Sequence, residues 1–297
     1  MTSPVPSAGP DTTTGTVHTG RARRVLNRKR AVVRDSLSVV RTTWNTLRHD
    51  RFLVRTLGGI AVGSLVALVV WKLASKASDD HARFRPLMIA IRLTLMLCVQ
   101  YIVAAGLYAH WSGDPQARGR HMWKRLTPRL PAFLMWAIVL AWLEYATQTS
   151  TFATLIRTGA SFALGYALSY AVPAAAVYRT GMFRAFQRSY QAFRVTFGAD
   201  LFAWSGVWLV TGFVALLTAI PEIFDLYLPG SPGSPPRAGF VGRLIGWALA
   251  IPVSVAALAI SAGFCTVIFF ALTRNYAPTD YSKHTVETVC GLQLDDN

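Results

Sequence analysis

Apolar residues gather in six long stretches, at 57–73, 86–109, 130–145, 159–177, 201–220 and 244–272, separated by shorter polar segments. A bilayer core of about 30 Å takes roughly 20 apolar residues as a helix, so each stretch predicts a transmembrane helix. Two further segments carry apolar residues on one helical side only. From 32 to 53, Val33, Leu37, Val40, Trp44 and Leu47 recur every three or four residues, with Arg34, Arg41 and Arg48 between them. From 182 to 197, Phe183, Phe186, Tyr190, Phe193 and Phe197 form one stripe, and Arg184, Gln187, Arg188, Gln191 and Arg194 the other. Both patterns predict helices lying in the plane of a membrane interface. The predicted fold class is all-α: a polytopic membrane protein with six transmembrane helices plus interfacial amphipathic helices.

Small residues at four-residue spacing add a packing expectation. Gly59 and Gly63 lie in the first stretch, Ser161, Gly165 and Ser169 in the fourth, and Gly242 and Gly246 just before and within the start of the sixth. Helices associate in lipid by close backbone approach, so these positions are candidate packing seams. Pro173 and Pro252 remove backbone donors inside the fourth and sixth stretches and predict kinks. The sixth stretch would be about 43 Å long as a helix, so it must tilt, bend or project. Residues 1–20 are rich in Thr, Ser, Gly and Pro, and 21–30 (RARRVLNRKR) form a basic run. The division is therefore a disordered basic arm at 1–30, a membrane domain at 31–274 and a short, mobile polar tail at 275–297. Residues 229–239 (PGSPGSPPRAG) predict a loop.

Charge changes the picture by its placement. Thirty Lys and Arg against fourteen Asp and Glu give a net charge of +16, which in a soluble domain would suggest nucleic acid. Here eleven basic residues precede the first stretch, five lie at 110–129, four at 178–200 and two in the tail, 22 in all. The alternate connections hold seven. That bias predicts a membrane protein with both termini in the cytoplasm, and no nucleic-acid partner. The expected location is the cell (inner or plasma) membrane, with the mitochondrial inner membrane as the alternative. The partners expected are membrane lipids, especially anionic headgroups, and a protein partner or a second copy. Phe183, Arg184, Phe186, Arg188, Tyr190, Phe193 and Arg194 are the candidate lipid or partner face.

Candidate chemistry is sparse. Arg92 and Glu144 lie within stretches and Arg157 just before one, and the predicted topology places the three at similar depth. Intramembrane charge is expensive, so they form a candidate cluster, either locking the bundle or lining a polar pathway. His110, Asp114 and His121 could suggest a metal, but Gly113 and Pro115 break the helix such a site needs. Neither a metal nor any other cofactor is expected, and Cys98, Cys265 and Cys290 suggest no pairing. No catalytic set stands out. The function expected is that of a non-enzymatic structural, assembly or accessory subunit of a membrane complex. The alternative is a transporter or lipid-handling protein using the Arg/Glu cluster.

Val172-Pro173 near a span's end, Ala185 and Ser189 four apart on an amphipathic helix, and Gly198 before the next span complete one pattern. It resembles bacterial six-helix membrane proteins of the glycerophosphodiester-phosphodiesterase membrane-domain type. Some of that group carry an acidic residue where this chain has Arg179. The resemblance implies a membrane-embedded helical domain; it does not imply phosphodiesterase activity, which belongs to a separate soluble domain. Six helices and a basic charge also suit mitochondrial carriers, but their repeated P-x-[DE]-x-x-[KR] motif does not occur here.

Overall fold

The computed structural model describes residues 14–76, 81–113, 120–145, 167–178, 181–196, 237–274 and 277–291. Among these every regular element is helical. In chain order they are α1 (Thr14–His49), α2 (Arg51–Lys76), α3 (His81–Ser112), α4 (Arg120–Leu126), α5 (Leu130–Tyr145), α6 (Ala167–Tyr178), α7 (Met182–Thr196), α8 (Arg237–Arg274) and α9 (Lys283–Cys290). A 3₁₀ turn at Thr127–Arg129 joins α4 to α5.

Local chemistry sets the element ends. Asp50 Oδ1 accepts hydrogen bonds from the backbone N–H groups of Phe52, at 2.9 Å, and Leu53, at 3.2 Å. This satisfies two orphan donors and starts α2 one residue after α1 stops. Gly113 closes α3 with a φ of 66°, a left-handed conformation that suits glycine. Gly291 closes α9 in the same way. α8 runs through Pro252 without interruption. The structure carries α1 back to Thr14, across the basic run that composition places in an unordered arm. Arg, Lys, Leu and Ala in that run are good helix formers.

α3 is the central helix, packed on α5 and α8 and also touching α1, α2 and α4. α8 takes α2 and α1 on other sides, and α9 lies against α1. The core mixes large side chains (Tyr101, Phe133, Tyr170, Phe264, Phe269) with many alanines, among them Ala104, Ala137, Ala141, Ala171, Ala175 and Ala262. Two glycines mark the closest approaches. A Cβ on Gly106 of α3 would stand 2.6 Å from Leu53 Cδ2 of α2, and one on Gly263 of α8 would collide with Thr43 Cγ2 of α1.

Several expectations need correction. Gly59 and Gly63 are exposed, and among the described residues a Cβ on either would meet nothing within 4 Å. Four-residue spacing shows which residues share a face, not which face has a neighbour. Of the other seam residues, Ser169 is buried; Gly242 and Gly246 lie in α8, while Ser161 and Gly165 fall outside the described residues. The tail is not free: Tyr281, Val286, Val289 and Cys290 are buried. On α1 the buried face is Ser36, Val39, Thr43 and Leu47, whereas Val33, Leu37 and Trp44 point outward.

Among the described residues, two helical segments are long and apolar enough to cross a membrane, Ile89–Ser112 in α3 and Ile251–Arg274 in α8. The stretches at 57–73 and 130–145 coincide with α2 and α5. The stretch at 159–177 is described only from Ala167, where α6 is a shorter apolar helix. The stretch at 201–220 lies outside the described residues.

Candidate functional site

The tail and the ends of α3, α6 and α8 converge with α1 and α7 into one polar and aromatic layer. Tyr281 sits at its centre. Its hydroxyl is 2.9 Å from Thr43 Oγ1 in a buried hydrogen bond joining residues 238 positions apart. Burial pushes the Tyr281 phenol above its usual range; the Thr43 hydroxyl pulls it down and the neighbouring Asp280 charge adds to the rise. Asp280 Oδ2 lies 2.7 Å from His110 Nε2 at the end of α3. Trp111 packs beside this pair, with ring centroids 5.4 Å from Phe270 and 5.9 Å from Tyr281. The tail is thus held by a hydrogen bond to α1 and by a side-chain pair and an edge-on aromatic contact to α3.

A second focus forms around Tyr178, the last residue of α6. Arg188 of α7 stands over its ring with Cζ 4.2 Å from the centroid, and Arg274, the last residue of α8, lies 5.9 Å from the same centroid. Phe269 meets this ring edge-on at 6.0 Å. A third arginine, Arg129, stands 5.3 Å over Tyr101, and its guanidinium donates to the Arg125 carbonyl. Aromatic faces attract such cations, and more strongly where water is partly excluded.

α7 explains why an arginine reaches Tyr178. The helix spans Met182–Thr196, with Phe197 outside the described residues, and docks through its smallest residues. Ala185 and Ser189 are fully buried, and Ser189 Oγ donates to the Ala167 carbonyl at 2.6 Å. Phe186 stacks on Trp136 of α5, with centroids 5.4 Å apart and planes 10° from parallel. Phe183, 73% exposed, and Tyr190, 58% exposed, point away from the bundle. Arg184 is also exposed. The side chains of Phe193 and Arg194 lie outside the described residues. The pair that carries the sequence resemblance, Ala185 and Ser189, is therefore the docking edge, and the aromatic stripe divides between the bundle and the outside.

The candidate charge cluster is only partly visible. Arg92 is exposed on α3, while the Glu144 side chain and Arg157 fall outside the described residues. Of His110, Asp114 and His121, where no metal is expected, His110 pairs with Asp280. Sequence reasoning missed Tyr281, Asp280, Tyr178 and Arg274. The available signal was the Val286, Val289, Cys290 spacing followed by Gly291, a short amphipathic helix with its stop. Buried polar atoms without a partner include Gln100 Oε1, midway along α3, and the indole nitrogens of Trp111 and Trp136. The chain matches no protein-family model, no curated protein and no solved structure.

Proposed function

We propose that this chain is a six-helix integral membrane protein with both termini cytoplasmic, acting as a structural, assembly or accessory subunit of a membrane complex. One observation carries the membrane part. α5 buries Phe133, Ala137, Leu140 and Ala141, yet its outward side holds Leu134, Met135, Ile138, Val139 and Trp142, the last 65% exposed. A helix apolar on every side suits lipid, and continuous exposed apolar surface is costly in water. α1 and α7 repeat the arrangement, docking through Thr43, Ala185 and Ser189 while turning Leu37, Trp44, Phe183 and Tyr190 outward. Those outward groups suit contact with an interface whose anionic headgroups attract the flanking arginines.

The subunit part is supported by α2, where exposed Gly59 and Gly63 lie near outward Val62, Val66 and Val70. Small residues on an outward face let another helix approach closely in lipid. The test is extraction of the native chain from its membranes in mild detergent, with and without prior crosslinking. Resistance to carbonate washing and recovery in a discrete complex larger than one chain are expected. Release by carbonate would overturn the membrane assignment; recovery as a single chain in both preparations would overturn the subunit assignment.

A second reading is a transporter or lipid-handling protein that uses Arg92, Glu144 and Arg157. Gln100 favours it, since a buried amide oxygen without a partner is a group that a hydrated pathway would satisfy. Water accessibility of a cysteine at Gln100 in reconstituted protein separates the two: a labelled site supports transport, a protected one the packed bundle.

A further inference from the structure

We propose that Arg188 and Arg274 form a binding site for the phosphate of an anionic phospholipid, built on the ring of Tyr178. The inference rests on the membrane reading above. The two guanidinium groups come from different helices, α7 and α8, onto a tyrosine that ends a third, α6, at 4.2 and 5.9 Å from one centroid. Both side chains are exposed. Among the described residues neither takes part in an ion pair or hydrogen bond. Two cations are therefore gathered on one ring, and among the described residues no carboxylate pairs with either.

That arrangement has a cost and a use. Like charges so placed repel, and an anion bridging them relieves the repulsion. A guanidinium over an aromatic ring engages that ring through its face, so its N–H edge stays available for a bidentate oxyanion. A phosphodiester offers two oxygens of the matching shape. The setting of α7 identifies the source of the phosphate. Phe183 and Tyr190 are exposed on the opposite stripe of the helix that carries Arg188. Aromatic side chains of this kind concentrate at headgroup level. A helix held there by its aromatic stripe presents its cationic stripe to the phosphates of the lipids around it. A lone Arg188 would read as an aromatic contact; convergence of the second arginine from α8 is what makes a site.

The test uses the full-length chain purified in a non-ionic detergent, with native mass spectrometry counting bound phosphatidylglycerol and phosphatidylcholine added at equal concentration. The unaltered chain is expected to retain one phosphatidylglycerol in at least tenfold preference. The double variant Arg188→Gln, Arg274→Gln is expected to lose that preference. Lys124→Gln, which removes an exposed charge on α4 away from the three helices of the site, is expected to keep it. Equal loss in both variants would reduce the effect to general surface charge and overturn the site. So would absence of preference in the unaltered chain, a result that stands even if the double variant fails to fold. Displacement of the lipid by equimolar sn-glycerol 3-phosphate would overturn the lipid source in favour of a soluble phosphate compound. Recovery of the chain without detergent would instead sink the membrane reading itself.

Discussion

Gly263 and Gly106 set how closely the helices approach, and each faces a particular side chain: Thr43 for Gly263, and Leu53 for Gly106. An added methyl at either must displace its neighbour. Thr43 is the harder to move, because its hydroxyl is also committed to Tyr281. Gly263→Ala is expected to destabilise the bundle by about 1–3 kcal/mol, the range for overpacking a filled core. Gly106→Ala should cost less, since the leucine tip can rotate. Gly59→Ala and Gly63→Ala are expected to leave the isolated chain unchanged or slightly stabilised, because helix propensity improves and nothing is struck. Thermal unfolding in detergent ranks the four; a Gly59 variant as damaging as the Gly263 variant would refute the assignment. Tyr281 adds a pH dependence. Its phenol ionises at higher pH in the folded chain than in the unfolded one, so its contribution is complete below the ordinary phenol value of about 10 and falls as pH rises above it. Tyr281→Phe should remove that alkaline loss, read as the midpoint of unfolding between pH 9 and 11, while lowering stability at neutral pH by leaving Thr43 without its partner.

At the scale of elements, α7 and α9 are short helices that hold their places by opposite means. α9 buries Val286 and Val289 as an ordinary apolar face, each such side chain stabilising by roughly 1.5–3 kcal/mol. α7 buries Ala185 and Ser189 and depends on fit. Ala185→Leu should therefore undock α7 although it adds apolar area, because no space separates that face from α6. Ser189→Ala should cost about 1 kcal/mol, the net worth of an ordinary hydrogen bond. Protection of α7 from limited proteolysis reads both, and unchanged protection in Ala185→Leu would count against the fit. The α7 helix was legible in sequence from its start at Met182, since its aromatic and cationic stripes share one period. Its docking edge was not, because Ala and Ser carry little hydrophobic signal and the large aromatics draw attention to the other side. α1 hid its docking edge for the same reason: Leu37 and Trp44 stand out as the apolar stripe, while the residues buried include Ser36 and Thr43. The tail was illegible for another reason. Its anchors, Thr43 and His110, are contacts across 238 and 170 positions, and no local pattern encodes them.

For the whole molecule, these contacts fix which ends lie together. His110 with Asp280, Thr43 with Tyr281, and Arg188 and Arg274 with Tyr178 gather α1, α7, α9 and the ends of α3, α6 and α8 into one layer. In the topology proposed above, a reporter in this layer therefore reports the side of the membrane on which all of them lie, and the charge bias predicts that this side is the cytoplasm. Cys290 is a poor reporter because it is 3% exposed, and silence toward a labelling reagent would follow from burial alone. Ser282 precedes α9 and is exposed, so Ser282→Cys in a chain with the native cysteines replaced gives a readable position. Ser231→Cys, in a segment that lies outside the described residues and that the sequence predicts as a loop, is its counterpart for the side expected to be opposite. With an impermeant maleimide on intact cells, the cysteine at 231 is expected to react at once, and the one at 282 only after the membrane is opened. The reverse order would invert the topology, and reaction at both positions in intact cells would break it. Either result would also remove the cytoplasmic leaflet from reach of Arg188 and Arg274, so the sidedness of the chain and the identity of its lipid stand on one measurement.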